Sequence, residues 1–261
     1  MRIAMWSGPR NLSTALMYAF AARGECAVWD EPFYACYLRE TGLAHPMAAE
    51  IMASDPRSPR EIAAALRADP PKGMRCTYQK HMCQHMIDGI PRDWMADVVN
   101  VFLIRHPDRV LASFGAKYAD VTLQDIGFMQ QAEIFESVFH RESTSPGYMG
   151  EKPPISENGF HQTKKPPLVI DSADIRENPE GMMRALCQGL GLEYSPKMLN
   201  WAAGPKPYDG VWAPVWYGAV HRSTGFAGAE GPLPDLPQEL RRISDAALPY
   251  YEHLARYKLR P

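Results

Sequence analysis

Arg2-Ile3-Ala4-Met5-Trp6-Ser7-Gly8-Pro9-Arg10-Asn11-Leu12-Ser13-Thr14-Ala15-Leu16-Met17-Tyr18-Ala19-Phe20 decides how the chain is read. Residues 2–6 are a short apolar run of strand-like composition. The run breaks at Ser7-Gly8-Pro9-Arg10, and helix-forming residues follow from Ala15 to Arg23, with Gly24 as a stop. Strand, turn and helix in this order make a phosphate-binding loop. The free N–H groups of the helix's first turn converge on one point, and the helix dipole favours an anion there. Arg10 adds a cationic fork, and Ser13 and Thr14 add hydroxyl donors.

The Gly-Lys pair of nucleoside-triphosphate loops is missing. Pro9-Arg10-Asn11-Leu12-Ser13-Thr14 instead resembles the 5′-phosphosulfate loop of the sulfotransferases, roughly Pro-Lys-Ser-Gly-Thr-Thr. Arg10 replaces Lys, which keeps the charge, and Leu12 stands where Gly is common. A second segment, Phe102 to Phe114, resembles the family's 3′-phosphate motif, with Arg105 after a strand and Ser113 on the following helix. His106 departs from the frequent Asp there. A looser match is His221-Arg222-Ser223-Thr224-Gly225, similar to the late basic loop that closes the nucleotide site. The resemblance implies a three-layer α/β/α fold of the P-loop type with a central parallel sheet. It also implies 3′-phosphoadenosine-5′-phosphosulfate (PAPS) as donor and adenosine-3′,5′-bisphosphate as product. Gly8 to Thr14, Arg105, Ser113 and His221 to Gly225 are then the nucleotide-binding residues.

A second strand, Cys26 to Trp29, leads into Asp30-Glu31. Ligands of parallel sheets gather at the carboxyl ends of the strands. In the carbohydrate-type branch of the family a Glu after the second strand is the general base. Glu31 matches it, with Asp30 as the alternative and His81 as a lesser one. A third strand candidate, Met74 to Met82, carries Lys80, which the resemblance assigns to the transferred sulfuryl group. Glu31, Lys80 and Arg10 are therefore the catalytic candidates. His81 and His85 have helical i, i+4 spacing but no third ligand, so no metal site is expected.

Val98 to Ile104 is a nearly continuous apolar run, as expected of a strand buried on both faces. A helix is expected from Asp108 to Lys117 and another from Leu123 to His140. Pro167 to Asp171 reads as the last strand, and Asn178-Pro179 as the start of a helix that stops at Gly191. That late unit reads as scaffold. Ser143 to Pro167 and Gly204 to Pro237 read as long loops. Trp201, Trp212, Trp216 and Tyr217 in the second either line an acceptor pocket or cover a sheet edge. The last helix, Pro237 to Tyr257, is expected to break at Pro249.

The chain has 261 residues, a formal charge of −2 and five unpatterned cysteines. The length suits one α/β domain over residues 1–261, and the charge does not point to nucleic acid. The first thirty residues hold no long apolar run of the kind a signal peptide or membrane span needs, and the cysteines suit a reducing cytoplasm. The expected partner is a small-molecule or carbohydrate acceptor carrying a hydroxyl or amine. A P-loop kinase and a non-catalytic nucleotide-binding module are the alternatives.

Overall fold

A computed structural model describes residues 1–115, 121–141 and 165–261. Five strands, β1 (Arg2–Ser7), β2 (Cys26–Asp30), β3 (Cys76–Met82), β4 (Val99–Ile104) and β5 (Leu168–Asp171), form one sheet. Their order is β2-β3-β1-β4-β5, and every pairing is parallel. The helices are α1 (Ser13–Ala22), α2 (Tyr34–Thr41), α3 (Ala48–Ser54), α4 (Pro59–Leu66), α5 (Pro107–Gly115) and α6 (Phe128–Arg141), followed by α7 (Ser172–Glu177), α8 (Pro179–Leu190), α9 (Ala213–Trp216), α10 (Gly218–His221) and α11 (Gln238–Ala255).

Side chains alternate across each strand, so β1 feeds two cores. Ile3 and Met5 meet Leu16, Met17 and Phe20 of α1 and Leu186 of α8 on one face. Ala4 and Trp6 meet Ile62 of α4, Phe135 of α6 and Leu254 of α11 on the other. This is a three-layer α/β/α arrangement with the sheet in the middle. Among the described residues no helix is long and apolar enough to cross a membrane.

Local signals bound the helices. Ser58 and Glu61 form a reciprocal capping box at α4, and Asn178 caps α8, which ends at the left-handed Gly191. Two expectations need correction. The helix expected from Leu123 starts at Phe128, because Gly127 before it takes a φ of +72°, and Thr122 with Asp125 closes a turn. The apolar Leu123 and Ile126 that suggested a helix pack under this turn instead. Helix α11 does not break at Pro249: it runs through that residue, with Ala247 and Leu254 buried on either side of it. Apolar packing outweighs one lost backbone hydrogen bond there. Helix α5 is described over Pro107–Gly115; Lys117 and most of the 143–167 loop lie outside the described residues.

The loop after β1 passes against the turn before α6. A Cβ on Gly8 would lie 2.5 Å from the Ile126 carbonyl oxygen, closer than backbone atoms allow. Gly8→Ala is expected to cost about 1–3 kcal/mol and lower the melting temperature, since either segment must shift. Thermal unfolding within 1 °C of the parent, on the order of measurement error, contradicts this close approach.

Candidate active site

All five strands deliver their carboxyl ends to the same edge of the sheet, with β1 between β3 and β4. There a cavity of about 570 Å³ opens, lined by Pro9 to Ala15, Glu31, Lys80, Arg105 and Ser113. Its position is the crevice expected where neighbouring connections run in opposite directions from a central strand.

The floor is the start of α1. Leu12 stands at the helix N-cap with no side-chain cap bond. The first-turn amides therefore keep their donor capacity toward the cavity. Asn11 fixes the loop: its side-chain amide donates to the Leu103 carbonyl at 2.9 Å, and its carbonyl accepts from Leu12 N at 2.9 Å. Arg10 takes a φ of +55°, a conformation that costs a non-glycine residue free energy. The turn carries its guanidinium to Ser113, where Nε donates to Oγ at 2.9 Å. Arg105 donates to the Arg10 carbonyl and to the Glu230 carboxylate. Arg10 and Arg105, assigned by the sequence to opposite ends of a nucleotide, thus stand in one bonded group with Ser113. Burial lowers the Arg105 pKa, opposed by the charge of Glu230.

The second group is the carboxylate and lysine pair. Tyr78 and Lys80 share one face of β3, while Gln79 and His81 share the other. Lys80 is 1% exposed and lies inside the strand rather than after it. Its ammonium donates to Asp30 Oδ1 at 2.9 Å, Glu31 Oε1 at 2.5 Å and the Tyr217 hydroxyl at 2.7 Å. Those three bonds use its three donors. Tyr217 in turn donates to Asp30 Oδ2 at 2.7 Å and accepts from Trp212 Nε1 at 3.0 Å. Burial alone lowers the Lys80 pKa, but the two carboxylates outweigh it and hold the lysine charged. Burial raises the Glu31 pKa, with Lys80 opposing and Asp30 adding to the rise.

The two acidic residues part company here. Glu31 lines the cavity, with a backbone φ of +41°. Asp30 turns away from it and also accepts from Gly210 N at 3.1 Å. His81 is not at the cavity. It stacks on Trp6 at 4.6 Å, and burial pushes its pKa down to about 3. Its claim as an alternative base does not survive this placement. Nor do His81 and His85 share a helix face: one is in β3 and the other ends a single 3₁₀ turn, Cys83–His85. Among the described residues no cluster could hold a metal ion.

Sequence reasoning did not single out His85 as a site residue. Its Nε2 stands 4.0 Å from Glu31 Oε2, and its ring stacks on Tyr34 and Tyr37 at 4.7 and 4.8 Å. Burial holds its pKa far below the ordinary value, so it is neutral. Trp212, Trp216 and Tyr217 line the cavity, whereas Trp201 packs in the core against Tyr18 and Phe226.

The late loop behaves differently from its expected form. Ser223 and Gly225 line the cavity, but His221, Arg222 and Thr224 do not. His221 pairs with Asp209 at 2.9 Å because α10 carries its ring that way, and Arg222 and Thr224 are exposed. Gly8 also stays off the cavity, under Ile126. The basic charge comes instead from Arg176, on the segment read as scaffold.

Residues 1–140 and 161–257 match the family described as sulfotransferase domain. Two curated relatives from Arabidopsis thaliana are branched-chain-amino-acid aminotransferase-like proteins 2 and 1. They are 31% and 32% identical over 252 and 253 residues, which is 97% of this chain and 41% of each relative. The chain therefore spans about two fifths of the length of those relatives. Among solved structures, the sulfotransferase domain of the Synechococcus PCC 7002 olefin synthase superposes with a TM-score of 0.47 at 15% identity, covering 94% of this chain and 93% of that one. The sulfotransferase domain from the curacin biosynthetic pathway gives 0.46 at 15% identity, covering 94% and 96%. On the family match across both halves of the sheet, the chain belongs to the sulfotransferase domain family.

Proposed function

We propose that the chain moves a sulfuryl group from PAPS to a hydroxyl of a small-molecule or carbohydrate acceptor, an amine being the variant acceptor. One observation carries this reading. The uncapped start of α1, the Arg10–Ser113–Arg105 group and the Glu31–Lys80 pair all meet at one cavity. An anionic donor fits the first two, and a proton acceptor beside them fits the third. The acceptor oxygen attacks sulfur, the bond from sulfur to the 5′-phosphate oxygen breaks, and adenosine-3′,5′-bisphosphate leaves. Glu31 takes the acceptor's proton on Oε2, the oxygen that Lys80 leaves free. The loop amides and Arg10 meet the charge that grows on the leaving oxygen without reorganising. Lys80 holds Glu31 in place. To touch the sulfuryl group it must exchange one of its three bonds, and the Tyr217 hydroxyl is the neutral partner of the three.

The rings of Tyr34, Tyr37, Trp212 and Trp216 also line the cavity and suit an acceptor with an apolar face. The reading treats residues 1–261 as one domain. All five cysteines are free and buried, which supports a reducing, cytoplasmic setting. The aminotransferase in the relatives' names is not carried over, because most of each relative lies beyond the match.

The test is transfer of labelled sulfate from PAPS to acceptor pools, with release of one bisphosphate per label. Label found in organic product only with intact protein supports the reading; ATP-dependent phosphorylation of the same pools with no sulfate transfer refutes it. Binding gives a second check. Arg105→Ala is expected to weaken adenosine-3′,5′-bisphosphate about ten- to hundredfold, and adenosine-5′-phosphate far less. Equal losses by calorimetry remove Arg105 from the 3′-phosphate.

A further inference from the structure

Three arginines from three elements converge on one carboxylate. Arg105 follows β4, Arg109 lies in α5 and Arg176 in α7. Arg105 bonds Glu230 Oε1, Arg176 donates to the same oxygen at 2.7 Å, and Arg109 Nε stands 3.5 Å from Oε2. The group carries three positive charges against one negative. Three acids near these arginines in sequence are engaged elsewhere. Asp108 pairs with Arg241 and Ser244, Asp171 accepts from Tyr251, and Asp174 from Lys258.

A carboxylate is also a poor geometric match for this group. Buried Arg105 Nε finds no acceptor among the described residues, and Glu230 Oε2 accepts no hydrogen bond within normal reach. A phosphate monoester brings about −1.5 to −2 charge and three acceptor oxygens, which suits three guanidinium forks better than two carboxylate oxygens do. Arg105 and Arg176 line the same cavity as the start of α1, so an anion here is continuous with one on the loop.

The segment holding Glu230 is fastened through its backbone as well. Arg176 Nε donates to the Gly228 carbonyl at 2.7 Å, and Arg109 donates to the Gly231 carbonyl at 2.5 Å. Gly231 bends the chain there with a φ of +70°. These bonds let the arginines keep hold of the segment while the Glu230 side chain swings out.

We propose that Arg109 and Arg176 join Arg105 as the 3′-phosphate site, and that Glu230 is an internal anion which the phosphate displaces. The proposal rests on the nucleotide reading above and adds two binding residues and a competitor to it. Glu230 sets discrimination: only a ligand with a strong anion at this position recovers the cost of displacing it, so the apparent affinity is lowered by the fraction of molecules in which Glu230 has released the arginines.

Calorimetric titration of the parent, Glu230→Gln and Arg176→Met with adenosine-3′,5′-bisphosphate and adenosine-5′-phosphate tests it. Glu230→Gln is expected to bind the bisphosphate about tenfold more tightly, and the monophosphate within about twofold of the parent. Arg176→Met is expected to weaken the bisphosphate at least about tenfold, again with little change for the monophosphate. If the parent prefers the bisphosphate but Glu230→Gln binds it equally or more weakly, Glu230 is not a competitor. If Arg176→Met binds it normally, Arg176 is not part of the site. If the parent itself does not distinguish the two nucleotides, the donor reading fails, which is a separate result. Should Glu230→Gln not fold, Glu230→Asp withdraws the carboxylate by one methylene and is expected to tighten bisphosphate binding likewise. If neither folds, Glu230 is a structural staple and the proposal falls.

Discussion

Glu31→Gln is expected to reduce sulfuryl transfer by at least about a hundredfold and to leave nucleotide affinity within a few-fold of the parent. The glutamine keeps the size and the bond to Lys80 while removing the proton acceptor. Glu31 lines the cavity, offers Oε2 away from Lys80, and faces a neutral His85 that does not compete by holding charge. Because burial raises the Glu31 pKa, its ionised form disappears at higher pH than an ordinary glutamate's would. The parent's rate should therefore fall on acidification from above the usual carboxylate range, and that limb should vanish in the variant's residual rate. Normal turnover in Glu31→Gln alongside a dead Asp30→Asn would place the base on Asp30, against the geometry in which Asp30 faces Tyr217 and Gly210.

Lys80→Met has the largest expected effect on stability. It leaves Asp30 and Glu31 buried side by side without the ammonium that bonds both. Removing one partner of a buried ion pair costs about 3–5 kcal/mol, or roughly 10 °C of melting temperature in a chain of this size. The sign with pH follows from the loss. Without Lys80, nothing opposes the burial that raises the Glu31 pKa, so its folded-state value lies above its unfolded one. Such a group favours the folded state while protonated and loses that contribution as pH rises through the folded pKa. The deficit should be largest at neutral pH and shrink toward about pH 5. Melting curves at both pH values check this. A variant within about 2 °C of the parent at neutral pH would show that the carboxylates do not depend on Lys80.

The parallel sheet was legible because its strands are apolar on both faces: Ile3 to Trp6 and Val101 to Ile104 read as continuous runs. The loop from Pro9 to Thr14 and the Arg105–Ser113 pair were legible because each is a local motif. What joins them was not. The bond from Arg10 to Ser113 depends on a left-handed backbone at Arg10, which no neighbouring residue type signals. Tyr217 reaches Lys80 from 137 positions away, and Trp212 follows it. His85 was weighed only as half of a metal pair, because its companions Tyr34 and Tyr37 lie on another element. Arg176 looked like scaffold because its role depends on where α7 leaves β5, and Glu230 sat in a stretch readable only as loop. Gly127 and Pro249 show the same limit in the fold. One stopped a helix that apolar spacing suggested, and the other failed to stop a helix that packing holds.

The central claim is that the cavity binds the sulfate donor's nucleotide rather than a nucleoside triphosphate. Competitive calorimetry with adenosine-3′,5′-bisphosphate and magnesium-ATP on the full chain tests it most directly. The loop has no Gly-Lys pair, and three arginines gather on Glu230, the position proposed above for the 3′-phosphate. The bisphosphate should therefore bind at least about tenfold more tightly than magnesium-ATP, a difference of about 1.4 kcal/mol or more. Tighter binding of magnesium-ATP, undiminished by excess bisphosphate, would contradict the account.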